Sequence, residues 1–182
     1  VDWREQLREF VRNTCRGKDV SNWRRPNRRF IIDDIYMPSM VSERVKSLTL
    51  GQDMSGSTGC AERMAAMSEI VGMLKEVHPE CVDLIYWGSS VVGHETYTES
   101  TMDTIAYVTK PKEGGGTDPS TIIPFLKDKK ITPDCIIIFT DGFIDNWGTD
   151  WPAPVLWVIC GSGGSNITAP VGKTIHVDMS KE

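Results

Sequence analysis

Three short stretches of this chain concentrate oxygen-bearing side chains: Asp53-Met54-Ser55-Gly56-Ser57, Gly114-Gly115-Gly116-Thr117-Asp118 and Thr140-Asp141-Gly142. Between them they offer two carboxylates, Asp53 and Asp141, and three hydroxyls, Ser55, Ser57 and Thr117. That donor set suits a hard divalent cation such as Mg²⁺ or Mn²⁺, which takes oxygen ligands in an octahedral shell and keeps some of its water. The nitrogen and sulfur ligands of a zinc site are not at hand. His78, His94 and His176 are scattered, and the five cysteines include no C-x-x-C pair.

Each motif also has a plainer reading. Alternate residues of an extended loop point the same way, so Asp53, Ser55 and Ser57 can aim three oxygens at one ion. The same residues can make a polar turn in which Ser57 or Thr58 caps the next helix. The glycines before Thr117 let the backbone approach a site closely, or serve as a flexible link. Asp141-Gly142 is also a common strand-ending turn. Their joint order favours the metal site.

The elements that must position these loops can be read from hydrophobic spacing. Asp2 to Cys15 reads as a helix, with Trp3, Leu7, Phe10 and Val11 on one face. Asp19 to Ser42 reads as irregular, rich in arginine and interrupted by Pro26 and Pro38. Val45 to Asp53 reads as a strand, and Cys60 to Val77 as a helix stopped by Pro79. Val82 to Trp87 is a strand that can pair as a hairpin with Val91 to Thr98. Ser100 to Val108 fits helix or strand. Asp118 or Ser120 can cap a helix carrying Ile122, Ile123, Phe125 and Leu126. Asp134 to Thr140, Val155 to Cys160 and Thr174 to Val177 are further strands, the first central and covered on both faces.

Strands alternating with helices predict a single three-layer α/β/α, Rossmann-like domain with a mostly parallel sheet and an N-terminal helical extension. Residues 1–44 form the helix and an Arg/Pro-rich wrapping segment, and residues 45–182 the domain proper. Ligands of such sheets sit beyond the carboxyl ends of the strands, where strand order reverses. Asp53 and Asp141 each follow a strand directly, so their loops are expected on one rim.

Composition sets the bounds. The 182 residues suffice for one full domain, with 40% apolar and 25% charged side chains and a net charge of −5. The acidic balance argues against general nucleic-acid binding. No run reaches the roughly 20 apolar residues of a membrane span. The start, Val1-Asp2-Trp3-Arg4, has neither a secretory pattern nor an initiator Met, which reads as a cytoplasmic protein that is processed or part of a longer chain. Five widely spaced cysteines read as thiols in a reducing compartment.

The motif set resembles the metal-ion-dependent adhesion site (MIDAS) of von Willebrand factor A (VWA) domains. That resemblance implies that Ser55 and Ser57 bind the metal directly. It further implies that Thr117 and Asp141 bind it directly or through water, with Asp53 beside them, and that an acidic side chain of a partner completes the shell. A narrower similarity rests on Asp2-Trp3-Arg4, Trp23-Arg24-Arg25-Pro26-Asn27-Arg28-Arg29, Tyr36-Met37-Pro38-Ser39 and Pro154-Val155-Leu156-Trp157-Val158. These resemble the C-terminal VWA-like domain of bacterial and phage metallopeptidases, often encoded beside AAA+ ATPases of the MoxR group. The H-E-x-x-H helix of those longer proteins is absent, and His94-Glu95-Thr96 does not supply it, so no catalytic residue is expected. Gln52 stands where the family has an apolar residue.

Three further candidates remain. Arg24, Arg25, Arg28 and Arg29 could bind phosphate, but pairing with surface carboxylates is the simpler role. Trp147 and Trp151 follow Asp141 and could anchor a partner or pack on the sheet. Asp118 and Asp145 could join a partner-binding rim, or act as the base of a metal-assisted hydrolase, for which no histidine or lysine lies near the motifs. The expected function is metal-dependent binding of a protein carboxylate, with a MoxR-type ATPase as a candidate partner. The alternatives are a hydrolase or a nucleic-acid binder.

Overall fold

The computed structural model describes residues 3–15, 20–26, 38–41, 45–56, 67, 70–75, 77–105, 115–160 and 166–177. Six strands form the main sheet: β3 (Ser47–Asp53), β4 (Cys81–Trp87), β5 (Val91–Thr98), β6 (Cys135–Thr140), β7 (Val155–Cys160) and β8 (Lys173–Val177). Their order is β5-β4-β3-β6-β7-β8. All neighbours run parallel except the hairpin pair β4 and β5. The chain moves outward from β3 to one edge, returns, and moves outward from β6 to the other. Strand order therefore reverses between β3 and β6, which in open α/β sheets is the crevice that takes ligands.

Both central strands are covered on both faces: β6 is apolar up to Thr140, while β3 also buries Thr49, Gln52 and Asp53. β6 is buried at every residue, and β3 at all but its first. One face carries Leu48, Leu50, Ile137, Phe139 and Val158. It packs with Leu7, Phe10 and Val11 and with Ile70, Met73 and Leu74. The first three come from α1 (Trp3–Phe10) and the π-helical turn that follows it, and the others from helical residues 70–75, denoted α2. The other face carries Ile85, Trp87, Ile136, Ile138 and Trp157, packed with Ile122 and Leu126 of α3 (Ile122–Lys129). The expected three-layer α/β/α arrangement is thus present.

Two expectations need correction. The segment from Asp19 to Ser42 is not wholly irregular. β1 (Val20–Pro26) and β2 (Pro38–Val41) pair antiparallel in a separate two-stranded sheet, with a register shift between Asn22 and Pro26. A two-stranded ribbon is all edge, so its prolines leave no interior ladder bond unmade. Arg24 and Arg25 lie on β1; Arg28 and Arg29 lie outside the described residues. Nor are all the cysteines thiols. Cys135, at the start of β6, is disulfide-bonded, while Cys81 and Cys160 are thiols. Wide spacing in sequence does not report distance in space. Among the described residues, no helix is long and apolar enough to cross a membrane.

Candidate metal centre

The rim at the carboxyl ends of β3 and β6 is built from Asp53 outward. Asp53 is fully buried, and its neighbours Gln52 and Ser55 are buried. One carboxylate oxygen, Oδ1, accepts the Ser55 N–H at 2.8 Å, which curls the chain after β3. The other, Oδ2, accepts the Thr140 hydroxyl at 2.8 Å from the end of β6. Thr140 Oγ1 in turn accepts the Gly142 N–H at 3.2 Å. A short relay of hydrogen bonds thus fixes the turn that carries Asp141 against the strand that carries Asp53.

Asp141 is 7% exposed. Its Oδ1 accepts the Phe143 N–H at 3.1 Å, while its Oδ2 is buried with no hydrogen-bond partner. A buried acceptor left bare costs about 1–3 kcal/mol, more if charged. Asp53 differs, since both of its carboxylate oxygens have donors. Burial lifts its carboxyl above the ordinary value of 3.8, and the nearby Asp141 charge adds to that. The hydrogen bonds from Ser55 and Thr140 only partly oppose it. A cation near these two buried carboxylates would offset the cost of burying their charge.

Thr117 reaches this rim by backbone contact. Ser89 N–H donates to Gly115 O, and Asp118 N–H donates to Gly88 O at 2.9 Å. This clamps the loop onto the bend beyond β4, whose last residue, Trp87, is the register partner of Asp53. The close approach explains Gly88, where a Cβ would stand 2.7 Å from Gly115 O. Asp118 accepts the Ser120 N–H at 3.1 Å and its hydroxyl, capping the short turn Pro119–Thr121 that leads into α3. Asn146 donates to Ser120 Oγ at 2.9 Å, tying the third loop to the second. Asp53, Ser55, Thr117 and Asp141 thus all lie on loops or strand ends of one rim, while Ser57 lies outside the described residues.

The donor chemistry fits a hard cation. No group of three or more His, Cys, Asp and Glu side chains gathers among the described residues. The set is two carboxylates with hydroxyls, one carboxylate oxygen lacking any partner. Gln52 does not join it. It lies 3% exposed, with Oε1 buried and unpartnered and Nε2 at 3.4 Å from Asp53 O.

Trp147 and Trp151 pack on the sheet. Their rings meet Trp157 edge-on, with centroids 4.8 and 5.7 Å away, and Trp151 Nε1 donates to Trp147 O at 3.0 Å. Asp145 is exposed on the same loop. Sequence reasoning missed Thr140 as the donor to Asp53 and Phe143 as an exposed ring beside Asp141. A threonine before the Asp-Gly pair was the available signal for the first.

The family model described as VWA-like domain (DUF2201) matches residues 48–178, well over half of the chain. A second model, described as "Putative metallopeptidase domain", matches residues 1–41. Among curated proteins none matches.

Proposed function

Since this chain belongs to the VWA-like domain (DUF2201) family, we propose that it is a divalent-metal-dependent protein-binding module. Ser55, Ser57, Thr117, Asp53 and Asp141 would hold Mg²⁺ or Mn²⁺ directly or through water, and the cation would accept a partner carboxylate. The observation that carries this reading is the buried, unpartnered Asp141 Oδ2 beside the buried Asp53 carboxylate. A dication neutralises both and turns an unfavourable pair into ligands. The protein's part is to hold the oxygens in place: Thr140 orients Asp53, and the Phe143 N–H orients Asp141.

Calorimetric titration with Mg²⁺ and Mn²⁺, beside thermal unfolding with and without chelator, tests the reading. Binding of one ion per chain and a higher melting temperature in metal are expected. No heat of binding together with equal stability in chelator would overturn it. The partner class we favour is a MoxR-type AAA+ ATPase, recovered from the native host with the chain in Mg²⁺ and lost in chelator. Peptidase chemistry is not assigned to these residues, because the 182-residue sequence holds no H-E-x-x-H motif.

A further inference from the structure

Resting on that metal-capture reading, we infer that Phe143 is a second contact of the same rim. The partner segment then carries one acidic side chain with a large apolar side chain within three positions of it, among neutral or basic neighbours. Phe143 is 60% exposed, and it is the exposed large hydrophobic residue among those described. Its backbone is held on both sides. Gly142 turns the chain at φ +89°, Phe143 N–H donates to Asp141 Oδ1 at 3.1 Å, and Ile144 N–H donates to Gly142 O at 3.0 Å. Ile144 then packs into the α3-side core. Only the ring of Phe143 is turned out.

The position matters as much as the exposure. Two Cα steps, at most about 7 Å, separate Phe143 from Asp141. A partner chain whose carboxylate met a cation at Asp141 would therefore run close to the backbone that carries the ring. Aromatic side chains, phenylalanine among them, are enriched at the core of protein interfaces. Charge narrows the occupant. Residues 141–151 hold Asp141, Asp145 and Asp150 and no lysine or arginine, with Asp145 and Asp150 exposed. A second acid on the partner would meet these aspartates across water, while a basic neighbour would be drawn to them.

Random decapeptides displayed on phage, bound to the chain in Mg²⁺ and released with EDTA, test the inference. Mg²⁺ titration and sedimentation of the same protein run in parallel. The expected pool holds Asp or Glu within three positions of Phe, Leu, Ile, Met or Trp. Representative peptides should lose about fivefold to tenfold in affinity to Phe143→Ala, the scale of one apolar contact; the variant keeps the N–H donated to Asp141, and its Mg²⁺ affinity is measured alongside. An acidic pool with no apolar preference, or a preference that survives Phe143→Ala, overturns the role of Phe143 and leaves metal capture standing. Self-association in Mg²⁺ that Phe143→Ala abolishes gives the ring to a second copy and also overturns it. A pool that EDTA does not release, from a chain that binds no Mg²⁺, overturns both readings.

Discussion

The hydroxyl of Thr140 donates to Asp53 Oδ2 at 2.8 Å, joining residues 87 positions apart across the boundary between β3 and β6. The contact depends on the parallel register that sets Gln52 opposite Phe139, one step before each of these residues. Thr140→Val keeps the shape but leaves a carboxylate oxygen bare in a buried site. The metal-free protein should lose about 1–3 kcal/mol of stability, read by urea denaturation in EDTA. Thr140→Ser, which restores a donor, should recover most of it. An unchanged midpoint in the valine variant would show that the bond holds nothing in place.

Asp141→Asn separates fold from metal. The amide matches the carboxylate in size and removes a charge that adds, after the larger effect of burial, to the rise of the Asp53 carboxyl. In chelator the variant should be at least as stable as the parent. In Mg²⁺ it should lack the parent's added stability, which linkage puts at about 2.7 kcal/mol for a free ion concentration 100 times the Kd. Melting curves of both proteins with and without Mg²⁺ check this. Equal gains in the two proteins would remove Asp141 from the site.

The raised Asp53 carboxyl makes the metal-free protein pH-sensitive in a definite direction. Between the unfolded value near 3.8 and the higher folded value, the native state binds more protons than the unfolded one. Stability contributed by the protonated group is therefore fully present below 3.8 and is lost as pH rises through the folded value. In EDTA, Asp53→Asn should flatten that part of the profile. Chemical denaturation across the acid range decides it, and a parent whose stability from this group rises with pH would contradict the burial argument.

How much of this was legible depended on whether a feature is local. Asp53 ends one strand and Asp141 directly follows another, so period and position alone put them on one rim. The hairpin of β4 and β5 and the central place of β6 were readable for the same reason. Thr140 was not, because its role needs the β3–β6 register, which no local pattern encodes. Trp147 and Trp151 stand next to the site in sequence, yet their rings turn to Trp157, a residue on the next strand. The pairing of β1 with β2 likewise needs a register that no local pattern encodes, and cysteine spacing did not reveal the bond at Cys135. Phe143 was visible as a letter but not as an exposed ring, since exposure depends on what the rest of the loop covers.

The two family matches divide the chain between residues 41 and 48, but the packing does not. Leu7, Phe10 and Val11 are buried in the same apolar cluster as Leu48, Ile137 and Val158, and α1 lies against β8. The N-terminal helix is strongly amphipathic in sequence, and the sheet face it covers would otherwise be bare. Phe10→Ala should therefore cost about 3–5 kcal/mol and Leu7→Ala about 2–5 kcal/mol, the range for truncating a buried side chain. A chain that starts at Val45 should lose all three contacts together and unfold at far lower urea. Equilibrium denaturation of the three proteins, followed by tryptophan fluorescence, measures this. If the shortened chain unfolds at the parent's midpoint, the helix is an appendage and the cluster around Leu7 contributes nothing to the fold.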